Sequence, residues 1–272
     1  MVALLERRES DRRLGLRLTA AVAAVVLLAT PFMLLLTLVV SAFEPLHAFD
    51  ERIAERAHAF TLGRPGYGDF LNVATEVFGP TVWRVLVVAA AVWLWRRGRR
   101  RLAVWAIVTI TVSGLLNLAV KGLVDRARPI LPDPVSWAPG ASFPSGHAMA
   151  AATGTSMLVL LALPLLRDRA ARLAAWAVAA AVTAFVAYSR VALGVHWVSD
   201  VVAGVLLGLA VVAATSAGYE AWRRDEGRRP AVPYEEGVEP EMPEAVDTGP
   251  EDTGSGAPAR TPGDTDAGPH TR

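Results

Sequence analysis

The stretch LAVWAIVTITVSGLLNLAV occupies residues 102–120, and KGLVDRARP follows it directly at residues 121–129. The first 19 residues carry no charge, whereas the next nine contain three basic side chains and one acidic side chain. A helix that spans a membrane needs roughly 20 predominantly apolar residues. The stretch therefore predicts a membrane-spanning helix that ends in a polar segment at a membrane boundary.

Five more apolar runs of comparable length occupy residues 18–43, 77–95, 141–166, 173–189 and 201–219. The run at 77–95 is interrupted only by Arg84. The first run is 26 residues long, which exceeds the roughly 7–15 residues of a signal-peptide core, so we interpret it as an uncleaved helix. We expect an all-α fold with a six-helix transmembrane bundle. The chain has no cysteine, which excludes disulfides and thiol chemistry.

Arginines cluster beside alternate connections of this predicted bundle. They occur in segments 7–17, 96–101, 167–172 and 223–229. Basic residues favour the cytoplasmic side of a membrane. The pattern predicts a multi-pass protein of the cell membrane with both termini in the cytoplasm, and the other three connections on the extracytoplasmic side.

The predicted domain organisation has three parts. Residues 1–17 form a cytoplasmic N-terminal segment, 18–222 the membrane domain, and 223–272 a disordered cytoplasmic tail. The tail contains 8 Pro, 7 Gly and 12 acidic residues, a composition that cannot bury a core. We find no internal repeat and no glycine pattern typical of helix association.

The first outer connection, residues 44–76, has a helical pattern of its own. Its apolar residues recur at helical spacing among charged ones, at Leu46, Phe49, Ile53, Ala57 and Phe60. We expect a short outer amphipathic helix, either lying in the membrane interface or forming a soluble cap.

Polar residues gather at the predicted outer ends of the third to sixth helices. They are Lys121, Arg126, Arg128 and Pro129, then the PSGH turn from Pro144 to His147, then Ser189, Arg190, His196 and Asp200. The alternating topology brings all three segments to the same face of the bundle. We therefore expect them to form one site.

The composition of this predicted site favours an anion. Lys121, Arg128 and Arg190 supply positive charge, and the planar guanidinium suits phosphate oxygens. Ser145 and Gly146 stand at the start of a helix, where free N–H groups and the helix dipole attract anions. The sequence predicts a phosphate-binding cradle.

Two histidines could supply chemistry beside this cradle. His196 and Asp200 are four residues apart, so a helix would place them on one face. The carboxylate would fix the imidazole tautomer and leave the other nitrogen free to attack phosphorus, while His147 protonates the leaving oxygen. Two alternatives are a purely structural trio and a zinc site, although the surrounding cations disfavour a dication.

These segments resemble the three signature motifs of the type-2 phosphatidic acid phosphatase superfamily. The motifs are Lys, six residues, Arg-Pro; then Pro-Ser-Gly-His; then Ser-Arg, five residues, His, three residues, Asp. Every fixed position is present, and the resemblance covers roughly residues 70–220. The family also includes soluble haloperoxidases, but six spans favour its lipid phosphatases.

The resemblance implies a metal-independent and cofactor-free phosphatase that forms a phosphohistidine. His196 would be the nucleophile, Asp200 its orienting group and His147 the general acid. The phosphate would be held by Lys121, Arg128, Ser145, Gly146 and Arg190.

We therefore expect an integral membrane lipid phosphatase with an extracytoplasmic site. Its substrates would be phosphatidic acid, phosphatidylglycerol phosphate or undecaprenyl pyrophosphate, and its partners the bilayer and this lipid, not nucleic acid. Two alternatives are a lipid phosphotransferase that uses the same histidine and a transporter that binds phosphate without chemistry.

The remaining polar and aromatic residues have ordinary interpretations. Arg126 would be solvated or paired with Asp125, and Arg84 would extend to the membrane interface. Surface positions are expected for His47 and His58, loop positions for Asp125 and Asp133. Trp83, Trp95, Trp197 and Trp222 fall near predicted boundaries and are expected to anchor the protein there.

Overall fold

The computed structural model describes the backbone of residues 2–225 and the side chains of residues 19–222, except residue 21. The described backbone is all-helical and contains no strand. Its helices are α1 (Val2–Val40), α2 (Glu44–Leu62), α3 (Tyr67–Val77), α4 (Pro80–Arg96), α5 (Arg100–Val124), α6 (Gly146–Ala162), α7 (Arg169–Ala192) and α8 (Val198–Asp225). The predicted tail beyond residue 225 lies outside the described residues.

Five stretches of this part of the chain are long and apolar enough to cross a membrane. They are Val22–Val40, Tyr67–Arg96, Arg100–Val124, Arg169–Ala192 and Val198–Trp222. Many of their large apolar side chains face outward; Leu27 is 74% exposed and Leu118 is 68% exposed. Outward-facing apolar surface of this extent suits contact with lipid, and the protein is a multi-pass membrane protein.

The predicted count of six spans is not confirmed, because α6 has only 17 residues. The predicted run began at residue 141, but residues 141–145 are not helical. Pro144 cannot continue a helix from the preceding residue, and Ser145 caps the helix by accepting a hydrogen bond from the Ala148 N–H. The helix therefore starts five residues later than the apolar run.

α6 lies against α8 at the centre of the bundle, and glycines make their close contact possible. A Cβ on Gly204 would come within 2.5 Å of the Ser145 carbonyl oxygen, and one on Gly208 within 2.8 Å of the Met149 carbonyl oxygen. Small residues four apart are typical of close helix packing in membranes. The expectation that no such glycine pattern exists was wrong.

Two of the four predicted boundary tryptophans are buried inside the bundle. Trp83 is 6% exposed and packs against Gly154, where an added Cβ would come within 2.7 Å of its ring. Trp197 is 8% exposed, and its indole N–H donates to the Ala127 carbonyl at 2.9 Å. Their role as boundary anchors was predicted wrongly, because each indole N–H finds a backbone carbonyl inside the protein.

Residues 44–76 form two helices, α2 and α3, where the apolar pattern predicted one. The buried line of α2 consists of Asp50, Ala54, His58 and Thr61. Phe49 and Phe60 are instead 47% and 45% exposed. The predicted apolar face is therefore rotated by about one residue. His58 is 4% exposed and its Nε2 lies 2.8 Å from the Pro132 carbonyl oxygen, so it is not a surface histidine.

Four helix ends meet at one end of the bundle: the C-termini of α5 and α7 and the N-termini of α6 and α8. The backbone N–H of Ser145 donates to the Asp200 carbonyl at 2.9 Å, which joins the starts of α6 and α8 directly. At the other end, the Arg101 guanidinium lies 5.3 Å from the centre of the Trp222 ring. The helices α5 to α8 thus alternate in direction, as the motif positions required.

Candidate active site

The connection from α5 to α6 carries the first group of basic side chains. α5 ends at Asp125, whose φ of 43° turns the chain away from the helix axis. Ser142 then closes the connection on itself: its N–H donates to the Arg126 carbonyl at 2.8 Å, and its hydroxyl to the Ala127 carbonyl at 3.0 Å. These bonds hold residues 126–128 over the start of α6. Asp125 and Asp133 lie in this connection, as predicted.

Arg128 is fixed by backbone carbonyls on both sides of the site. Its guanidinium donates to Pro139, Gly140 and Ala141 in its own connection, and to Val195 before α8 at 2.7 Å. Its Nη1 also lies 3.2 Å from Nε2 of His196. An arginine always carries its protons, so this contact has the N–H of Arg128 donating to a nitrogen lone pair.

The imidazole of His196 is buried between that guanidinium and Asp200. Its Nδ1 lies 3.3 Å from Oδ2 of Asp200. Because Nε2 accepts from Arg128, the hydrogen-bond network assigns the proton to Nδ1, where it is donated to the carboxylate. Nε2 therefore carries a lone pair directed toward the cationic side of the site.

Burial lowers the pKa of His196 to about 4. The Asp200 carboxylate opposes this shift, whereas the positive charges of Arg128 and Arg190 add to it. The imidazole is therefore neutral at physiological pH, which a nucleophilic nitrogen requires.

The turn between α7 and α8 places His196 next to Arg190. The N–H groups of Val195 and His196 both donate to the Arg190 carbonyl at 3.2 Å, and Gly194 takes a φ of 71° that favours glycine. Asp200 completes this turn by accepting from the Trp197 N–H at 2.9 Å, three residues before it. The spacing from Arg190 to Asp200 in the third motif therefore matches a hydrogen-bonded turn that is followed directly by the start of α8.

Arg190 is 4% exposed, and its Nε has no hydrogen-bond partner among the described residues. A buried donor without an acceptor costs free energy, and an anionic ligand would supply the acceptor. Lys121 extends from α5 to donate through Nζ to the Ala141 carbonyl, beside the Arg128 contacts. The positive charges of Lys121, Arg128 and Arg190 lie close enough to the imidazole of His147 to act on it. The structure thus brings these cations near His147, and Arg128 also contacts His196 directly.

Ser145 and Gly146 have structural reasons for their identity as well. The Ser145 hydroxyl caps α6 through its contact with the Ala148 N–H. A Cβ on Gly146 would come within 3.2 Å of the Asn117 side-chain oxygen, a tight contact that favours glycine at that position whatever the site binds. The Ser145 N–H is taken by the Asp200 carbonyl, whereas the Gly146 N–H belongs to the first turn of α6, where backbone N–H groups have no partner within the helix.

Arg126 was predicted to be solvated or paired with Asp125, and that prediction was wrong. Its Nη1 donates to Oδ1 of Asp200 at 2.7 Å and to the Ser199 hydroxyl at 2.7 Å, while Nη2 donates to Asp50 at 2.9 Å. Asp50 is fully buried on α2, and its other oxygen accepts from the Ser199 N–H at 2.9 Å. Hydrogen bonds thus continue from the His196–Asp200 pair to Arg126 and on to Asp50. The motifs alone did not indicate that either residue supports the site.

The zinc alternative would need a set of His, Asp and Glu ligands. No group of three such side chains suited to a metal ion occurs among the described residues. Both oxygens of Asp200 already accept hydrogen bonds, one from Arg126 and one from His196, so this carboxylate is poorly placed to bind a metal ion.

The sequence that carries this site is similar to those of known phosphatases. Residues 102–224 match the model of the PAP2 superfamily. The chain is 29% identical over 136 residues to an undecaprenyl-diphosphatase of Sulfolobus acidocaldarius. It is 30% identical over 128 residues to phosphatidylglycerophosphatase B of Bacillus subtilis. These alignments cover 47% and 46% of this chain, and 58% and 61% of the two relatives.

The fold has a counterpart among solved structures. It superposes on a transmembrane PAP2-type phosphatidylglycerolphosphate phosphatase from Bacillus subtilis with a TM-score of 0.61 and 24% identity, covering 76% of this chain and 98% of that one. The segment that the family model matches, residues 102–224, contains every predicted site residue. In sequence this segment resembles the PAP2 superfamily, and the fold of the chain resembles that of a solved PAP2-type phosphatase.

Proposed function

We propose that the protein is an integral membrane lipid phosphatase that hydrolyses a phosphomonoester or pyrophosphate through a phosphohistidine on His196. One observation carries the proposal: the buried His196 offers a neutral nitrogen lone pair on the side of the site where Arg128 and Arg190 lie. A nucleophile fixed by a carboxylate and facing cations is the arrangement that phosphoryl transfer needs.

The substrate phosphate would lie between Arg128, Arg190 and Lys121. Arg190 provides a buried Nε–H without a partner among the described residues. The first turn of α6 begins at Gly146, and the free N–H groups of a helix start favour an anion. Nη1 of Arg128 lies against the His196 lone pair, so a phosphate oxygen must take over that hydrogen bond before attack. Binding of the phosphate and exposure of the nucleophile would then be one event.

In the first step, Nε2 of His196 attacks phosphorus as the bond from phosphorus to the leaving oxygen breaks. His147 donates a proton to that oxygen, and the lipid leaves as an alcohol or as a lipid monophosphate. Negative phosphate oxygens among the cations favour the protonated form of His147 when substrate is bound. Asp200 stabilises the positive charge that develops on the His196 ring.

In the second step, water attacks the phosphorus of the phosphohistidine. His147, now neutral, takes a proton from that water, and the P–N bond breaks to release inorganic phosphate. The site returns to its starting protonation state. No metal or cofactor is needed in either step.

The membrane arrangement is part of the proposal. We count α6 as a sixth crossing, because a helix buried against α8 has little surface that must face lipid and can be short. The arginine pattern assigns the site to the extracytoplasmic end. Ile130 and Trp137, in the connection over the site, are 97% and 82% exposed. Such exposed apolar side chains suit a site at the lipid headgroup level.

The experiment is a panel of phosphatidic acid, phosphatidylglycerol phosphate and a polyprenyl pyrophosphate assayed for phosphate release in detergent. His196→Ala should lower turnover by at least about 10³-fold, because it removes the nucleophile. His270→Ala is the matched control, since His270 is a histidine outside the three motifs. Turnover that survives in His196→Ala would contradict the mechanism.

Two other functions use the same geometry. A phosphotransferase would label His196 from lipid phosphate but release phosphate only slowly until an acceptor alcohol is added. A transporter would bind and move the lipid equally well in the wild type and in His196→Ala. Trapping the acid-labile phosphoprotein and timing its decay in water separates all three.

A further inference from the structure

A cavity of about 390 Å³ opens next to His147, on the side of α4 and α5. This volume lies within the range of about 300–1,000 Å³ that is usual for ligand sites. Its polar lining comes from Glu76, Arg84, Asn117 and His147, and its apolar lining includes Ile110. Because His147 is the proposed donor to the leaving oxygen, the cavity lies where the leaving group must go.

The orientation of Arg84 is the unusual feature of this cavity. Its Nη2 would lie 3.9 Å from a Cβ built on Gly114, so the side chain crosses from α4 to α5 instead of extending past the end of its own helix. No hydrogen bond or ion pair of Arg84 is recorded with any described residue. An arginine within a membrane helix is costly and is typical of a functional position.

α5 relates this cavity to the phosphate-binding cations. Asn117 is one turn before Lys121, and Gly114 is a further turn along the same helix, about 10 Å from Lys121 at 1.5 Å per residue. Asn117 is held in place because its side-chain nitrogen donates to the Pro144 carbonyl at 3.4 Å. Ile110 lies about one turn deeper. Along α5 the lining of the cavity thus passes from the polar Asn117 to the apolar Ile110, and Lys121 lies one turn beyond its polar end.

We propose that this cavity is a leaving-group subsite in which Arg84 binds the second phosphate of a lipid diphosphate. The inference rests on the proposed function and deepens it: the preferred substrate class is a polyprenyl or similar lipid diphosphate, not a monophosphate ester. Arg84 is then a specificity-determining residue, because a monophosphate ester places only an uncharged alcohol in the cavity.

The reaction balances without further reactants. His196 attacks the terminal phosphorus, the bond from that phosphorus to the bridging oxygen breaks, and the electron pair stays on the bridging oxygen. His147 protonates that oxygen, and a lipid monophosphate results. Arg84 stabilises the negative charge on this leaving phosphate, and the apolar end of the cavity near Ile110 receives the first part of the chain.

Glu76 lines the same cavity with the opposite charge. It makes no ion pair with Arg84 in the described part of the chain. Arg84 is therefore left as the cation of this cavity that remains available to a ligand. A guanidinium matches the geometry of phosphate oxygens better than an ammonium does.

The test compares farnesyl diphosphate with phosphatidic acid as substrates of the purified full chain. Arg84→Leu should lower kcat/KM for the diphosphate by about 10- to 100-fold, the size of a lost charge-assisted hydrogen bond, and change that for phosphatidic acid less than twofold. Leucine is a good helix former and removes a charge from the helix, so folding should be retained. Arg84→Lys should keep most of the diphosphate rate.

Arg64→Leu is the matched control, because Arg64 is exposed and stacks on Phe60 away from the cavity. A second readout uses inorganic pyrophosphate and phosphate as inhibitors: pyrophosphate should bind more tightly, and Arg84→Leu should remove the difference. Equal losses on both substrates, or no loss at all, would overturn the subsite. A wild-type protein without activity on any lipid phosphate would instead overturn the proposed function itself.

Discussion

Replacement of Asp50 by asparagine tests whether a residue distant from the phosphate positions the nucleophile. Asp50 lies on α2, is fully buried and accepts hydrogen bonds from the Ser199 N–H, the Ser199 hydroxyl and Arg126. Asparagine has almost the same shape and can still accept from the Ser199 N–H. What it removes is the negative charge opposite Nη2 of Arg126.

The expected magnitude follows from what Arg126 retains. Loss of one partner of a buried ion pair costs about 3–5 kcal/mol when the other charge is left alone. Arg126 keeps its bond to Asp200 at 2.7 Å and is 13% exposed, so the smaller value for one charged hydrogen bond, about 1.5–3 kcal/mol, applies. The free energy of unfolding should fall by that amount.

The effect on turnover has a different origin. With Asp50 neutral, Arg126 is drawn fully toward Asp200, and the carboxylate loses the fixed position from which it orients His196. Groups that hold a directly acting ligand in place typically affect function by about 10- to 100-fold. We expect kcat to fall about tenfold, with KM for the lipid within twofold, because Asp50 does not touch the substrate.

The assay measures initial rates of phosphate release in detergent, together with thermal unfolding followed by tryptophan fluorescence. Glu51→Gln is the control, since the neighbouring Glu51 is 52% exposed and pairs with His47 at 3.3 Å. An exposed pair of this kind contributes about 0–1 kcal/mol, so neither rate nor melting temperature should move appreciably. If Asp50→Asn melts earlier but keeps wild-type kcat well below its melting temperature, Asp50 is only structural and the reasoning is refuted.

Three further predictions concern protonation, packing and metal. The folded-state pKa of His196 is about 4, below its unfolded value of 6.5, so its contribution to stability is complete above pH 6.5 and is lost as pH falls through 4. His196→Asn should therefore flatten the fall in melting temperature between pH 6.5 and 4.5. An unchanged slope would contradict the burial of a neutral His196. Gly208→Ala should lower stability by about 1–3 kcal/mol, because its Cβ would meet the Met149 carbonyl at 2.8 Å, whereas Gly218→Ala, with nothing within 4 Å, should not. Activity should survive a chelator, and loss of activity that zinc restores would favour a metallohydrolase.

The sequence predicted the parts of the structure that depend on local chemistry. Lys121, Arg128, His147, Arg190 and His196 were found because polar residues at the ends of apolar runs are rare and their spacing is that of caps and turns. The alternation of the runs was enough to bring them to one end of the bundle. Apolar length was a poorer guide to where a helix begins, since the run at 141–166 continues through Pro144 and Ser145.

What the sequence did not reveal depends on contacts between distant residues. Asp50 and Arg126 are 76 positions apart, and neither has a partner within a helical turn that would suggest a buried pair. The same carboxylate explains the wrong register of α2: a buried aspartate lies among residues that an apolar pattern assigns to the solvent side. Gly204 and Gly208 were visible in the sequence, but their importance depends on which helix packs against them.

Two residues to which we assign supporting roles lie outside the segment that the family model matches. The family match begins at residue 102, whereas Asp50 and Arg84 belong to α2 and α4. The matched segment carries His196, Asp200 and the basic side chains, to which the proposed mechanism assigns the attack on phosphorus, the orientation of the imidazole and the binding of phosphate. The proposed leaving-group contact and the support of Arg126 come from the first hundred residues, so exchange of this N-terminal part between family members should change substrate preference and leave the chemistry at His196 intact.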